Sequence, residues 1–161
     1  MNPSHEPGRL LLRHTLATVA YRAGKTLRSA PESFANFEIG QPPRTPASIL
    51  AHMGDLYDWA LSMAGGEQVW RDSQPLEWKR EVERFFAALK RFDDYLAAPE
   101  VVHVPLEKLF QGPVADSLTH VGQMAMLRRL AGCPMKGENY YAAEMTAGRV
   151  GLEQAAPRRE F

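Results

Sequence analysis

Asp116, His120 and Gln123 occupy one stripe of the segment DSLTHVGQMAMLRRLAG, where an otherwise apolar helix would face a core. Asp116 and His120 are one helical turn apart, so their Cβ atoms should lie roughly 5–6 Å from each other. One cation can touch both at that spacing. A third donor comes from the segment TPASILAHMGDLYDWALSMAGG, where His52 falls beside the apolar Ile49 and Leu56 and so points inward. Helix bundles commonly assemble metal sites from side chains on facing helices. Two imidazoles and a carboxylate suit zinc, nickel or iron and are poor for calcium or magnesium. Three protein ligands also leave a coordination position open, the pattern of a reactive site. Two blander readings stand beside this one. An inward histidine is often a satisfied core group, and Asp-x-x-x-His is a common ion pair that lessens the burial cost of the acid.

Those donors need helices to carry them, and helical periods dominate the chain. The first helix should run from Gly8 to about Ala30, with Leu12, Leu16, Val19, Ala20, Ala23 and Leu27 on one face. Phe34 to Pro43 reads as a loop. Thr45-Pro46 then gives a capping hydroxyl and a proline preset for a first turn, opening a second helix that Gly65-Gly66 ends near Ala64. A linker holding Trp70 and Pro75 leads to a third helix over about Pro75 to Ala98, with Trp78, Val82, Phe85, Phe86, Leu89, Phe92 and Leu96 at helical spacing. Pro99 to Pro105 is either extended or a connector: its valines favour strand and its prolines oppose it. A fourth helix begins near Leu106 or Pro113 and ends at Gly132. A short helical piece around Tyr140 to Ala147 is expected in the tail. The pattern predicts an all-α four-helix bundle with long connections and a short C-terminal helical segment. It forms a single domain over 1–161, the bundle spanning about 8–132 and the tail 133–161 packing on it.

Composition narrows the function. The 161 residues are 45% hydrophobic and 24% charged, ordinary for a globular chain. With 19 basic and 19 acidic residues, no basic field advertises nucleic acid. Cys133 is the only cysteine, which excludes an internal disulfide and a cysteine-based zinc site. The opening Met1 to Gly8 is polar and predicts no secretory leader, and no apolar run approaches the roughly 20 residues of a membrane span. The expectation is a soluble cytoplasmic protein without nucleic-acid or membrane partners. Its amphipathic helices permit a homodimer without demanding one.

Two segments together, RTPASILAHMGDLYDWAL and DSLTHVGQMAMLRRLAG, resemble the DinB-like (DinB/YfiT) superfamily of metal-binding four-helix bundles. The likeness lies in the Thr-Pro start leading to His52, then His120 with Gly122-Gln123, then Leu127-Arg-Arg-Leu-Ala-Gly132. It covers about Leu10 to Gly132 in order. The resemblance implies one divalent transition metal on His52, Asp116 and His120, zinc or nickel before iron. It also implies a metal-dependent hydrolase or thiol transferase of undetermined substrate, with no general base beyond a water on the metal. The family pattern carries a histidine where this chain has Asp116. The mycothiol-dependent isomerase branch looks like a carboxylate-x-x-x-His version of the site, so Asp116 can ligate; otherwise it marks a weakened or lost site. A carboxylate removes one unit of positive charge and makes a weaker Lewis acid. The alternative from another class is a non-enzymatic binding or stress-associated bundle with a structural or lost metal.

Other residues carry two readings each. Gln123 either orients a ligand or bound water, or makes a helix-packing hydrogen bond. Trp59 is either core or pocket lining. Glu138 and Tyr140 either pack the tail on the bundle or fold over the cleft and join the site. Arg128 and Arg129 read as surface charges or helix C-terminal complements. Glu100-x-x-His103 matches half of a di-iron signature, but a second copy is lacking. Gly24-Lys25-Thr26 lacks the first glycine of a phosphate loop. His14 reads as a boundary or pocket histidine, and Cys133 as non-catalytic.

Overall fold

A computed structural model describes residues 6–161. The polar opening noted above falls, for residues 1–5, outside them. Four long helices form: α1 (Pro7–Leu27), α2 (Pro46–Ala64), α3 (Trp78–Ala97) and α4 (Ala115–Leu130). A short 3-10 turn, Glu32–Asn36, lies in the first connection. The four pack as a bundle, with α2 against α3, α1 against α3 and α4, and α2 against α4. The apolar faces anticipated for α1 and α3 are buried, as are Ile49 and Leu56 of α2, and Leu16, Leu50, Phe85, Leu89, Phe92 and Leu96 are sealed from solvent. Each such side chain contributes about 1.5–3 kcal/mol through its burial. Arg13 of α1 clamps Asp93 of α3 with two bonds of 2.9 and 3.0 Å.

The start of α2 is fixed locally. The Ser48 amide donates to the Thr45 hydroxyl at 3.2 Å and the Thr45 amide to the Ser48 hydroxyl at 3.1 Å, a reciprocal cap with Pro46 in the first turn. At the other end Gly66 has φ +90°, a conformation glycine adopts freely, and the His103 ring lies 3.1 Å from where a Cβ would be. α3 begins at Trp78, later than Pro75, because the Leu76 amide is drawn to Glu81 and Glu77 caps the Lys79 and Arg80 amides. The approach to α4 is helical from Leu106, so both expected starts lie on one continuous segment. One α turn (Leu106–Leu109) is followed by one π turn (Phe110–Val114). Pro113 sits inside that wide turn. Proline lacks the amide a regular turn needs, and the wider turn accommodates it.

Pro99 to Pro105 is a connector. Its backbone is tied to α2 by the His103 amide, which donates to the Ala64 carbonyl at 3.0 Å. The Tyr95 hydroxyl adds a bond to the Val101 carbonyl at 2.7 Å. The expected C-terminal helix around Tyr140 to Ala147 does not form. Two turns close there instead, from the Ala142 amide to the Asn139 carbonyl and from the Ala143 amide to the Tyr140 carbonyl. Asn139 also caps the Tyr141 amide at 3.1 Å, which favours a turn over a helix. The tail closes on itself through an isolated Glu138–Glu160 bridge and packs against α1.

Candidate metal centre

Buried Ile49, Met53 and Leu56 fix the roll of α2 and set His52 on the side facing α4. Buried Ser117, Val121, Met124 and Leu127 do the same for α4, leaving Asp116 and His120 toward α2. His52, Asp116 and His120 therefore converge, each offering one ligand atom within 4.8 Å of the others. His52 Nε2 lies 3.3 Å from one Asp116 oxygen, and His120 Nε2 lies 3.4 Å from the other. The two imidazole rings stand 5.0 Å apart, nearly perpendicular. The His120 side chain is 6% exposed, His52 26% and Asp116 46%, so the cluster has a closed floor and an open rim.

These spacings bear on the competing readings. A charge-assisted N–H···O bond settles at about 2.7–2.9 Å, shorter than either distance. Ligand atoms about 2.0–2.1 Å from a tetrahedral ion sit roughly 3.3–3.4 Å from each other. Each observed distance has the length of one such edge, the two ending on different Asp116 oxygens.

Gln123 decides the chemistry of His120. Its Oε1 lies 2.7 Å from His120 Nδ1. An amide oxygen only accepts, so Nδ1 carries the proton and donates, and the Nε2 lone pair is left facing Asp116. Burial lowers the His120 pKa from 6.5; Gln123 and Asp116 oppose that shift, while His52 and Arg44 reinforce it. His120 is thus neutral at pH 7. The Nε2 lone pair then faces Asp116 at 3.4 Å, in a cluster of three donors that could hold a cation. Gln123 is the orienting residue that metal-ligating histidines usually have on the second nitrogen.

The chain matches no family model, no curated protein and no solved structure.

The remaining candidates divide clearly. Trp59 is partly buried against the core and reaches Trp70, ring centroids 5.7 Å apart. Trp70 in turn meets His52 edge-on at 5.6 Å. Glu138 and Tyr140 do not join the cluster, which corrects the reading that they would fold over it. Both Glu138 oxygens are taken, one by the Tyr21 hydroxyl at 2.5 Å and one by Lys25 at 2.6 Å. Tyr140 packs edge-on against Tyr21 and receives the Arg22 guanidinium 4.3 Å from its ring centre. Arg128 is buried and complements helix ends, donating to the carbonyls of Thr26, Arg28 and Cys133. Arg129, His14, Glu100 and His103 are exposed.

Two features escaped the sequence reading. Trp70 looked like an incidental linker residue, although a tryptophan in the polar run GGEQVWRDSQ was the available signal. Asp55 and Arg84 were not singled out at all. Asp55 is buried and accepts from the Ser73 amide at 2.8 Å, the Ser73 hydroxyl at 2.7 Å and Arg84. Arg84 lies over Gly54, where a Cβ would come within 3.2 Å of the guanidinium. A groove of about 980 Å³ between α1 and the connector is mostly apolar, lined among others by Leu11, Val101, Leu106 and Phe110. None of the three cluster residues lines it. We locate the chemistry by the donors, since volume alone supplies no reactive group. Among the described residues, no helix is long and apolar enough to cross a membrane.

Proposed function

We propose that the protein is a DinB-like metal-dependent enzyme, a hydrolase or thiol transferase, holding one divalent transition metal on His52, Asp116 and His120. The observation that carries this reading is the convergence of His52, Asp116 and His120, with the Gln123 amide oxygen 2.7 Å from the far nitrogen of His120. Two imidazoles and one carboxylate favour zinc or nickel, and also accommodate iron(II). A cation bound there would supply Lewis acidity toward a substrate oxygen or sulfur. His52 and His120 hold imidazole nitrogens in place, and Asp116 contributes a carboxylate at the open rim. That exposed rim, with Asp116 almost half accessible, fits a site that admits a small molecule. The DinB-like motif order from Thr45-Pro46 through Gly132 supports the same reading, as does the helical bundle that carries it. A cytoplasmic setting and a homodimer belong to the same proposal.

Metal analysis of untagged protein tests it. The expected result is near-unit stoichiometry after incubation with zinc, nickel or iron(II). His52→Ala should abolish uptake, and Asp116→His should retain it. No uptake of any of the three metals would sink the proposal. Uptake by wild type but not by Asp116→His would remove Asp116 as a ligand.

A further inference from the structure

We propose that Trp70 is the substrate-recognition wall of this centre. The accepted molecule carries a planar apolar group close to its metal-binding donor atom. This rests on the metal reading above. The stretch between α2 and α3 has no regular structure, yet it is pinned on both sides of Trp70. The Val69 amide donates to the Ser62 hydroxyl at 3.1 Å. Ser73 is held by the buried Asp55 carboxylate through its amide and hydroxyl, at 2.8 and 2.7 Å. Further on, the Leu76 amide binds the buried Glu81 at 2.7 Å. Trp70 therefore has only two residues of slack before the Asp55 anchor, and its position is built into the fold.

The position has no core-packing purpose. Trp70 is 44% exposed, and its ring partners are His52 at 5.6 Å and Trp59 at 5.7 Å. The ring planes meet at 64° and 85°, so both partners meet it at steep angles. An indole face left open beside a candidate reactive group offers a flat apolar group a stacking partner. The rim is chemically two-sided. Asp116 presents an exposed carboxylate on α4, while Trp70 presents an indole beside His52. A molecule whose donor reaches the space shared by His52, Asp116 and His120 brings its adjacent atoms against the indole. A flat apolar group gains there, and a bare methyl does not.

Two hydroxamates isolate this effect, since they share the same metal-binding head. Acetohydroxamate ends in a methyl group and benzohydroxamate in a phenyl ring. Both are titrated calorimetrically into the zinc-loaded full-length protein. The expected result is about tenfold tighter binding of benzohydroxamate. In the zinc-loaded variant, Trp70→Ala should reduce that preference below threefold by weakening benzohydroxamate more than acetohydroxamate; Trp70→Phe should keep most of it. An equal preference in wild type and Trp70→Ala overturns the proposal, as does a wild type without preference. Failure of the protein to take up zinc overturns the metal reading and this inference with it, whereas a loaded protein that binds neither hydroxamate overturns only the inference. A loaded protein that binds both hydroxamates equally overturns only the inference.

Discussion

Replacing Gln123 with leucine removes the single side-chain acceptor on the rear nitrogen of His120 and leaves the three ligands in place. The lost bond is short, 2.7 Å, and joins residues one turn apart on α4. Without it, the proton on His120 is free to move to Nε2, and the ring is free to turn about its χ2 axis. Both changes take the lone pair away from Asp116. Loss of such an orienting partner typically weakens metal binding 10–100-fold. Gln123 is exposed, so water replaces part of what it gave, and the effect should fall at the low end, about tenfold or about 1.4 kcal/mol. The assay is competition for zinc against a chromophoric chelator at pH 7.5. Thermal melting of the metal-free variants should change little, since an exposed helix position ordinarily contributes within about 0.5 kcal/mol. Gln123→Glu supplies a stronger acceptor and should bind zinc at least as tightly as wild type. Zinc affinity of Gln123→Leu within twofold of wild type would refute the orienting role and return Gln123 to helix-surface packing.

Two further outcomes follow from the buried polar groups. Burial holds the folded-state pKa of His120 below its ordinary 6.5, so on acidification the unfolded chain takes up this proton first. The metal-free protein should therefore lose stability as pH falls through about 6.5, until the folded state titrates as well, and His120→Gln should show a flatter profile of melting temperature against pH. Glu138→Ala leaves the nearly buried Lys25 with only Glu160, whose side chain is a third exposed. Urea titration should show a loss of about 3 kcal/mol, and limited proteolysis should show earlier cleavage beyond Cys133.

What was legible in the sequence follows the range of the forces involved. The helices and their inner faces were legible because a 3.6-residue apolar period is local, and the Thr45-Pro46 cap was legible because it lies within one turn. The pairing of Asp116 with His120 was equally local. His52 entered through the apolar neighbours that set its roll, and its meeting with α4 needed the bundle. The tail was misread because Glu138 and Tyr140 are fixed by Lys25, Tyr21 and Arg22, more than a hundred residues earlier, and no local pattern announces such partners. Trp70 was passed over for the same reason. Its neighbours His52 and Trp59 belong to α2, and the Asp55–Ser73 anchor that holds its loop crosses the sequence.

Asp116 is where an ion pair and a metal cage make opposite demands, and the metal-free protein distinguishes them. If the cluster is an ion pair kept for stability, Asp116→Asn removes an attraction and should cost about 0.5–1 kcal/mol. If it is a cage, the metal-free protein already places a carboxylate oxygen 3.4 Å from His120 Nε2. Asparagine replaces one charged oxygen with an amide donor, so the metal-free variant should be as stable as wild type or slightly more so. Adding zinc then reverses the order. Wild type gains RT ln(1 + [Zn]/Kd), about 2.7 kcal/mol at a hundredfold excess over Kd, and the variant gains much less. Melting curves of both proteins, with and without zinc, therefore give a crossing under the cage and parallel shifts under the ion pair. A variant that is less stable than wild type by the same amount in both conditions would refute the cage.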